Sequence, residues 1–275
     1  MAVPVVPAVP VVVVDDHRLV AGPLVGVLGL LLARHGFAVR PLVPTVSAAI
    51  ASGPAGIAVC DVILGPGTSG PESVRALAEH DWRVLLMSGY APEEQVLDAI
   101  AAGAAGYVEK SEDPAGLVAA VLTVHDSGLH LSTALAAMFY ADLRRRPLPA
   151  GSELSAGDRR MLRAVVQGEP PARAAASCGL TEAQGRDAVG RIFTAAVARR
   201  QHYQLTPREL DVVRLVGCEH LSTAEVARRL FVSIDTANTH LRSIRRKYRL
   251  VHPEAPAPLP QRTAAQLWAR ELNLS

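Results

Sequence analysis

Val11-Val12-Val13-Val14-Asp15-Asp16 decides how the first half of this chain is read. Four β-branched residues in a row leave no polar side, as in a strand covered on both faces of a parallel sheet. The run stops at two acids, so a buried strand delivers carboxylates to one end. The same grammar recurs downstream. Ala38 to Leu42 reads as a second strand, Gly56-Ile57-Ala58-Val59-Cys60 as a third ending at Asp61, Val84-Leu85-Leu86-Met87 as a fourth ending at Ser88-Gly89, and Gly106-Tyr107-Val108 as a fifth. Helical stretches separate them. The first carries Leu19, Val20, Leu24, Val27, Leu28, Leu31 and Leu32; the others are Ser47 to Ala51, Ser73 to His80, Glu93 to Ala102 and Leu117 to His125. Strand and helix in strict alternation predict an α/β domain with a doubly wound, five-stranded parallel sheet and right-handed crossovers. Ligands of such sheets bind beyond the carboxyl ends of the strands. The polar residues expected there are Asp15, Asp16, Asp61, Ser88 and Lys110.

Composition sets the frame. The chain has 275 residues, enough for two domains and a smaller element between them. No run of eighteen uncharged apolar residues occurs, which argues against a membrane helix. The apolar stretch from Val3 to Val14 has no basic start and reads as a strand rather than a secretion signal. Cys60, Cys178 and Cys218 lack metal-ligand spacing and read as core residues of a cytoplasmic protein. The net charge of +2 hides an asymmetry: residues 1–125 hold six Lys/Arg against twelve Asp/Glu, so the remainder is strongly basic. Between residues 228 and 249 there are seven basic side chains and only Asp235. An acidic half joined to a basic half suggests a cation-binding or regulatory module attached to one that binds a polyanion.

Three carboxylates held together repel one another unless a hard divalent cation sits among them, and Mg²⁺ takes oxygen ligands. A carboxylate beside such a cation can attack a phosphoryl group and form an acyl phosphate. Lys110 can add positive charge, and the Ser88 hydroxyl can donate to a phosphoryl oxygen. Taken singly, Asp15 or Asp16 reads as a loop or capping residue, Tyr107 as packing and Lys110 as a solvated charge. An aspartyl nucleophile of the haloacid-dehalogenase kind would want Asp-x-Asp after the first strand. Here the aspartates are adjacent and followed by His17, which reads as structural or exposed.

The ordered set Asp15-Asp16, Asp61, Ser88, Tyr107 and Lys110, with intervals of 45, 27 and 22 residues from Asp16 to Asp61, Ser88 and Lys110, resembles the receiver domains of two-component response regulators. The resemblance covers residues 9–126 and implies a flavodoxin-like fold. It implies that a sensor histidine kinase phosphorylates Asp61. It further implies Mg²⁺ held by Asp16, Asp61 and the main-chain carbonyl of Ile63, with Asp15 acting through water. Tyr107 would turn inward as Ser88 moves towards the phosphoryl group. One departure stands out: where the family has proline four residues after the acceptor, this chain has Gly65, and Pro66 follows.

Beyond Leu117 no strand pattern is evident. Leu129 to Leu143 reads as a helix, and residues 127–151 as a helical linker that ends in Arg144-Arg145-Arg146-Pro147-Leu148-Pro149-Ala150-Gly151. Leu205-Thr206-Pro207-Arg208-Glu209 starts a helix with a capping box, and Ser222-Thr223-Ala224-Glu225 starts the next. After a short turn at Phe231-Val232, Ser233-Ile234-Asp235-Thr236 opens a longer helix. Its inward residues are expected to be Ala237, Leu241, Ile244 and Tyr248. Its other face is expected to show Asn238, Thr239, Arg242, Arg245, Arg246 and Lys247. Two short helices and a tight turn, the second helix basic, suit a major groove. There Arg pairs with guanine and Asn with adenine, while later basic residues meet phosphates.

These stretches, with Val226-Ala227-Arg228-Arg229-Leu230-Phe231-Val232-Ser233 and Thr236-Ala237-Asn238-Thr239-His240-Leu241-Arg242-Ser243-Ile244, resemble the LuxR-type helix-turn-helix. The all-α domain so defined is placed at residues 203–275. The resemblance implies base contacts from Asn238, Thr239 and Arg242, with Thr236 beside them, and phosphate contacts from Ser233, Arg245 and Arg246. Pro253 to Pro260 reads as an insertion before a last helix, Thr263 to Leu272, which in the family supports dimerisation. Residues 152–200 look like a worn copy of the same motif. Leu154-Ser155 parallels Leu205-Thr206, Met161-Leu162-Arg163 parallels Val212-Val213-Arg214, and Leu180-Thr181 parallels Val232-Ser233. Val189 and Ile192 parallel Leu241 and Ile244. They read either as a degenerate module that packs or dimerises without reading DNA, or as an unrelated helical linker.

Together these readings predict a homodimeric DNA-binding response regulator, not an enzyme and not membrane-bound, in which phosphorylation of Asp61 controls dimerisation or binding to promoter DNA and so transcription. Two alternatives remain at this point: a regulator whose receiver answers to protein contact or a ligand without phosphorylation, and a signalling adaptor or phosphatase-like enzyme. The acidic site argues against the first and the helix-turn-helix against the second.

Overall fold

A computed structural model describes residues 8–65, 69–145, 152–272 and 274. Pro66 of the lengthened loop, residues 146–151 of the expected linker and the start of the apolar N-terminal stretch lie outside the described residues. The chain divides into two compact units, residues 1–198 and 199–275.

The first unit opens with β1 (Val9–Val14), α1 (Arg18–Ala33), β2 (Phe37–Val39), α2 (Val46–Ala51), β3 (Ile57–Asp61), α3 (Gly70–Ala78), β4 (Arg83–Ser88), α4 (Glu93–Ala101), β5 (Gly106–Glu109) and α5 (Pro114–Ser127). The strands form one parallel sheet in the order β2-β1-β3-β4-β5. The order reverses between β1 and β3, where Val14 pairs with Cys60. That switch point brings the two acid-bearing strand ends side by side.

The β-branched run behaves as its composition demands. Val11 to Val14 are wholly buried: Val11 and Val13 pack with Leu28, Leu32, Val121 and Val124 of α1 and α5, while Val12 and Val14 pack with Ala49 of α2, Val74 and Leu77 of α3 and Val96 of α4. Alternate side chains of one strand thus feed two separate layers. The second strand is shorter than its sequence suggests. Pairing stops at Val39, although the backbone amides of Arg40 and Val43 still reach Val11 and Val13, and Val43 makes an isolated bridge to Val14.

Beyond α5 the sequence offers no strand, yet His130 bridges Gly106 in parallel, its amide donating to Ala105 O at 2.8 Å. The close approach needs a glycine there, since a Cβ on Gly106 would meet His130 O at 2.6 Å. The chain then forms α6 (Thr133–Arg145), α7 (Ala156–Val166), α8 (Pro171–Ser177) and α9 (Glu182–Tyr203). Leu131, Leu135, Ala136 and Phe139 share one core with Tyr107 and with Met161, Leu162, Val189 and Ile192.

The second unit holds α10 (Pro207–Gly217), α11 (Thr223–Arg229), α12 (Ile234–Val251) and α13 (Gln261–Glu271). The expected capping boxes form at Thr206/Glu209 and Ser222/Glu225. Ala237, Leu241, Ile244 and Tyr248 are buried, as the helical spacing predicts. The insertion is not solvent-filled slack: Leu259 joins the core with Ala264, Ala265, Trp268 and Ala269 of α13. Of the cysteines, Cys60 is buried, Cys178 is half-buried against the core and Cys218 is exposed at the end of α10, so the expectation of three core cysteines fails for Cys218.

Candidate functional site

The strand ends bring Asp15, Asp16 and Asp61 together. One ligand atom from each, and one from His17, lie within 4.8 Å of one another. Asp15 is wholly buried and Asp61 is 4% exposed, while Asp16 opens to solvent. Two neighbouring buried carboxylates require compensation. Lys110, carried by the turn after β5, supplies it: Nζ lies 2.6 Å from Asp15 Oδ2 and 2.6 Å from Asp61 Oδ2. Burial would lower the Lys110 pKa, but the Asp15 and Asp61 carboxylates beside it outweigh that and hold the amine above its usual range. The Cys60 thiol beneath is pushed up to about 12 by burial and by the Asp61 and Asp15 charges, so it is no competing nucleophile.

The other expected residues lie on the neighbouring turn and strands. The Ile63 amide donates to Asp61 Oδ1 at 3.3 Å, which ties that turn to the acceptor carboxylate. Ser88 ends β4, where it pairs with Glu109 and its carbonyl accepts from the Lys110 amide at 2.9 Å. Its hydroxyl accepts from the Tyr90 amide at 3.3 Å. Tyr107 is buried in β5, its phenol pushed up to about 12 chiefly by burial. His17 is exposed; its ring Nδ1 sits 3.0 Å from Asp16 Oδ1 and its amide donates to Asp15 Oδ1 at 2.8 Å. Its place among the acids follows from the helix start that Asp15 tethers.

Asp15 Oδ2 is ion-paired with Lys110, yet it is a buried oxygen with no well-aligned donor. A carboxylate oxygen in that condition, among two further carboxylates, suits a hard cation with oxygen ligands.

In the second unit Ser233 and Thr236 form the start of α12. The Ser233 hydroxyl accepts from the Thr236 amide at 3.0 Å and lies 2.8 Å from the Thr236 hydroxyl. Thr239 and Arg242 are exposed and linked, Arg242 Nη2 donating to Thr239 Oγ1 at 2.9 Å; Asn238 is half-buried beside them. Arg242, Arg245, Arg246 and Arg249 line an open groove with Leu250 and Pro253. Arg249 lies one helical turn beyond Arg245, a spacing that would have found it.

Lys247 corrects the expectation that it belongs to this basic face. It is 4% exposed, and its Nζ reaches Glu209 Oε2 at 2.7 Å and Gln204 O at 2.6 Å. Burial would raise the Glu209 pKa, but hydrogen bonds from Lys247, Ser243 and the Thr206 amide hold it below the usual carboxylate range. The capping acid of α10 therefore also clasps α12. On the far side α13 is tied down by Tyr248 Oη donating to Glu271 Oε1 at 2.8 Å, with Tyr248 and Trp268 rings edge to face.

An acid cluster at the end of an α/β sheet, in one chain with a basic helix-turn-helix, is the build of a two-domain regulator. Comparison with known proteins puts a family to each half: residues 11–122 match the response regulator receiver domain, and residues 203–252 match the luxR family of bacterial regulatory proteins. The chain belongs to the response regulators that pair these two domains. It is 38% identical over 141 residues to the DNA-binding transcriptional activator DevR/DosR of Mycobacterium tuberculosis (strain ATCC 25618 / H37Rv). That alignment spans 50% of this chain and 63% of the relative, so less than two thirds of the relative's length is matched. Among solved structures, a LuxR-family two-component response regulator from Aurantimonas sp. SI85-9A1 is 32% identical over 50% of this chain and 99% of its own, with a TM-score of 0.42. Response regulator ChrA of a heme-sensing two-component system is 22% identical over 98% of this chain and 100% of its own, with a TM-score of 0.40.

Proposed function

We propose that this chain is a DNA-binding response regulator in which phosphorylation of Asp61 controls DNA binding or dimerisation, and so transcription. The observation that carries the reading is Lys110 Nζ at 2.6 Å from both Asp15 and Asp61, in one chain with the arginine-lined groove of α12. In this reading Asp15, Asp16, Asp61 and the carbonyl of Ile63 hold Mg²⁺, which when bound neutralises charge on the phosphoryl oxygens. An Asp61 carboxylate oxygen attacks phosphorus; the new O–P bond forms as the bond from phosphorus to the imidazole nitrogen of a histidine kinase breaks. Lys110 is already paired with Asp61 and can follow the charge onto the phosphoryl group. The Ser88 hydroxyl, held at the end of the neighbouring strand, donates to a phosphoryl oxygen, and Tyr107 follows Ser88.

On α12, Asn238, Thr239 and Arg242, with Thr236 beside them, read base edges, while Ser233, Arg245 and Arg246 hold the backbone. Among the described residues no helix is long and apolar enough to cross a membrane. A protein of this kind works in the cytoplasm as a homodimer on promoter DNA, without enzymatic turnover of its own.

The test is a binding site selected from random duplexes, then affinity with and without acetyl phosphate and Mg²⁺ for wild type and Asp61→Asn. The phosphodonor should tighten wild-type binding at least tenfold and leave Asp61→Asn unmoved. Equal affinity in all four conditions defeats the switch.

A further inference from the structure

We infer that residues 154–198 are an internal duplicate of the helix-turn-helix at 205–251 that has lost its DNA-facing charges and grips α6 through Phe193, making it a protein-facing relay mounted on Tyr107. The direction of the relay rests on the receiver reading of Asp61; the duplication does not.

The two segments superpose residue by residue in sequence, at an offset of 51 through the first helix and 52 thereafter. Met161, Leu162 and Val165 are buried where Val212, Val213 and Val216 are; Ala174 and Ala175 match Val226 and Ala227; Val189 and Ile192 match Leu241 and Ile244. The backbone agrees. Gly168 and His220 are both left-handed (φ 95° and 55°), as are Gly179 and Phe231 (φ 74° and 55°). Each first helix opens with a capping box whose acid also holds the third helix: Asp158 with Ser155 and Arg191, Glu209 with Thr206 and Lys247. Each third helix starts on a hydroxyl cap, Thr181 accepting from the Gln184 amide and Ser233 from the Thr236 amide. An unrelated helical linker has no reason to reproduce two left-handed turns and an acid clasp in the same order.

The outer face has changed. At the positions of Asn238, Thr239, Arg242, Arg245 and Arg246 stand Arg186, Asp187, Gly190, Phe193 and Thr194. From residue 182 to 198 two basic and two acidic side chains cancel, where 234–250 carries five basic against one acidic. Arg186 is taken up by Glu182 at 2.6 Å and Arg191 by Asp158 at 2.7 Å. A neutral face cannot release counterions from a phosphate backbone. Phe193, the counterpart of Arg245, is instead buried edge to face on Phe139 of α6, with ring centroids 5.1 Å apart.

The helix it grips is bolted to the receiver. Ser132 Oγ donates to Tyr107 O at 2.6 Å, and His130 bridges Gly106 on the same strand. Arg145 at the far end of α6 reaches Glu94 at 3.1 Å and Glu93 at 3.5 Å, the first residues of α4. Tyr107 therefore cannot change its packing without meeting Leu135, Phe139 and, behind them, the duplicate.

The experiment is hydrogen exchange on the full chain, with and without beryllofluoride and Mg²⁺. Peptides spanning 84–110, 130–143 and 188–198 should change exchange rate together, at least threefold. Phe193→Ala should keep the change at 84–110 and abolish it at 188–198; Phe193→Leu serves if the alanine variant does not fold. A response confined to 84–110 in wild type overturns the relay and leaves the receiver reading standing. No response anywhere defeats that reading and the relay with it. A tenfold loss of DNA affinity on Arg186→Ala overturns the loss of the DNA face.

Discussion

Residues 154–198 and 205–251 have the same three-helix grammar and opposite surfaces. Seven buried positions correspond between the two cores, and both first helices spend their capping acid on the third helix. What differs lies on one stripe of the last helix, where arginines in one unit correspond to glycine, phenylalanine and threonine in the other. Fold and surface are thus separable: the buried positions and caps specify the three helices, and the exposed stripe decides what they can touch.

The sharpest way to probe the shared core is its clasp. Lys247 and Glu209 are both about 5% exposed, so Lys247→Met strands a buried carboxylate and should cost about 3–5 kcal/mol. Arg191 is 55% exposed, and Asp158 keeps its Ser155 hydroxyl, so Arg191→Met should cost only about 1 kcal/mol. Urea melts of both variants test the difference; equal losses would show that exposure does not set what each clasp contributes. The surfaces are separated by Arg242→Ala, expected to weaken DNA binding by about 1–3 kcal/mol, against Arg186→Ala, expected to change it by less than about 0.5 kcal/mol.

A third prediction concerns the mooring that only the first unit has. Burial lowers the His130 pKa to about 4 from 6.5. A base whose folded pKa lies below its unfolded one stabilises the fold fully above pH 6.5 and loses that contribution as pH falls towards 4. Lowering pH from 7 to 5.5 should therefore cost about 1 kcal/mol in wild type and little in His130→Asn, read as the shift in urea midpoint. The smallest effect is electrostatic. Arg246→Ala should reduce the slope of log affinity against log salt by about 1, whereas Thr194→Ala at the matching place in the other unit should leave it unchanged.

Most of the α/β domain was legible because its information is local. A run such as Val11 to Val14 announces burial on both faces, and the acid after it marks the strand's end. The candidate site followed, since Asp15, Asp61, Ser88 and Lys110 all sit at the last residue of a strand or just past it. What escaped depended on distant partners. His130 has no strand-forming neighbours and pairs only because Gly106 leaves room for its carbonyl. Lys247 looked like part of the basic stripe because helical spacing places it at the stripe's edge; its burial depends on Glu209, 38 residues earlier. The worn repeat was visible in its apolar spacing, but its grip on α6 through Phe193 was not, because Phe139 lies in a segment with no motif.

The two clasps also bear on how the chain avoids misassembly. Like modules in one polypeptide are prone to exchange helices while folding, and a chain emerging from the ribosome completes its earlier module first. Here the cations sit one helical turn apart: Arg191 corresponds to Ser243, and Lys247 corresponds to Ala195. If α9 were docked on α10, Ala195 would stand where Glu209 needs its lysine. If α12 were docked on α7, Asp158 would face Ser243 instead of its arginine. The single turn between the two cations is a lock and key within one chain, and it admits only the helix made for each acid.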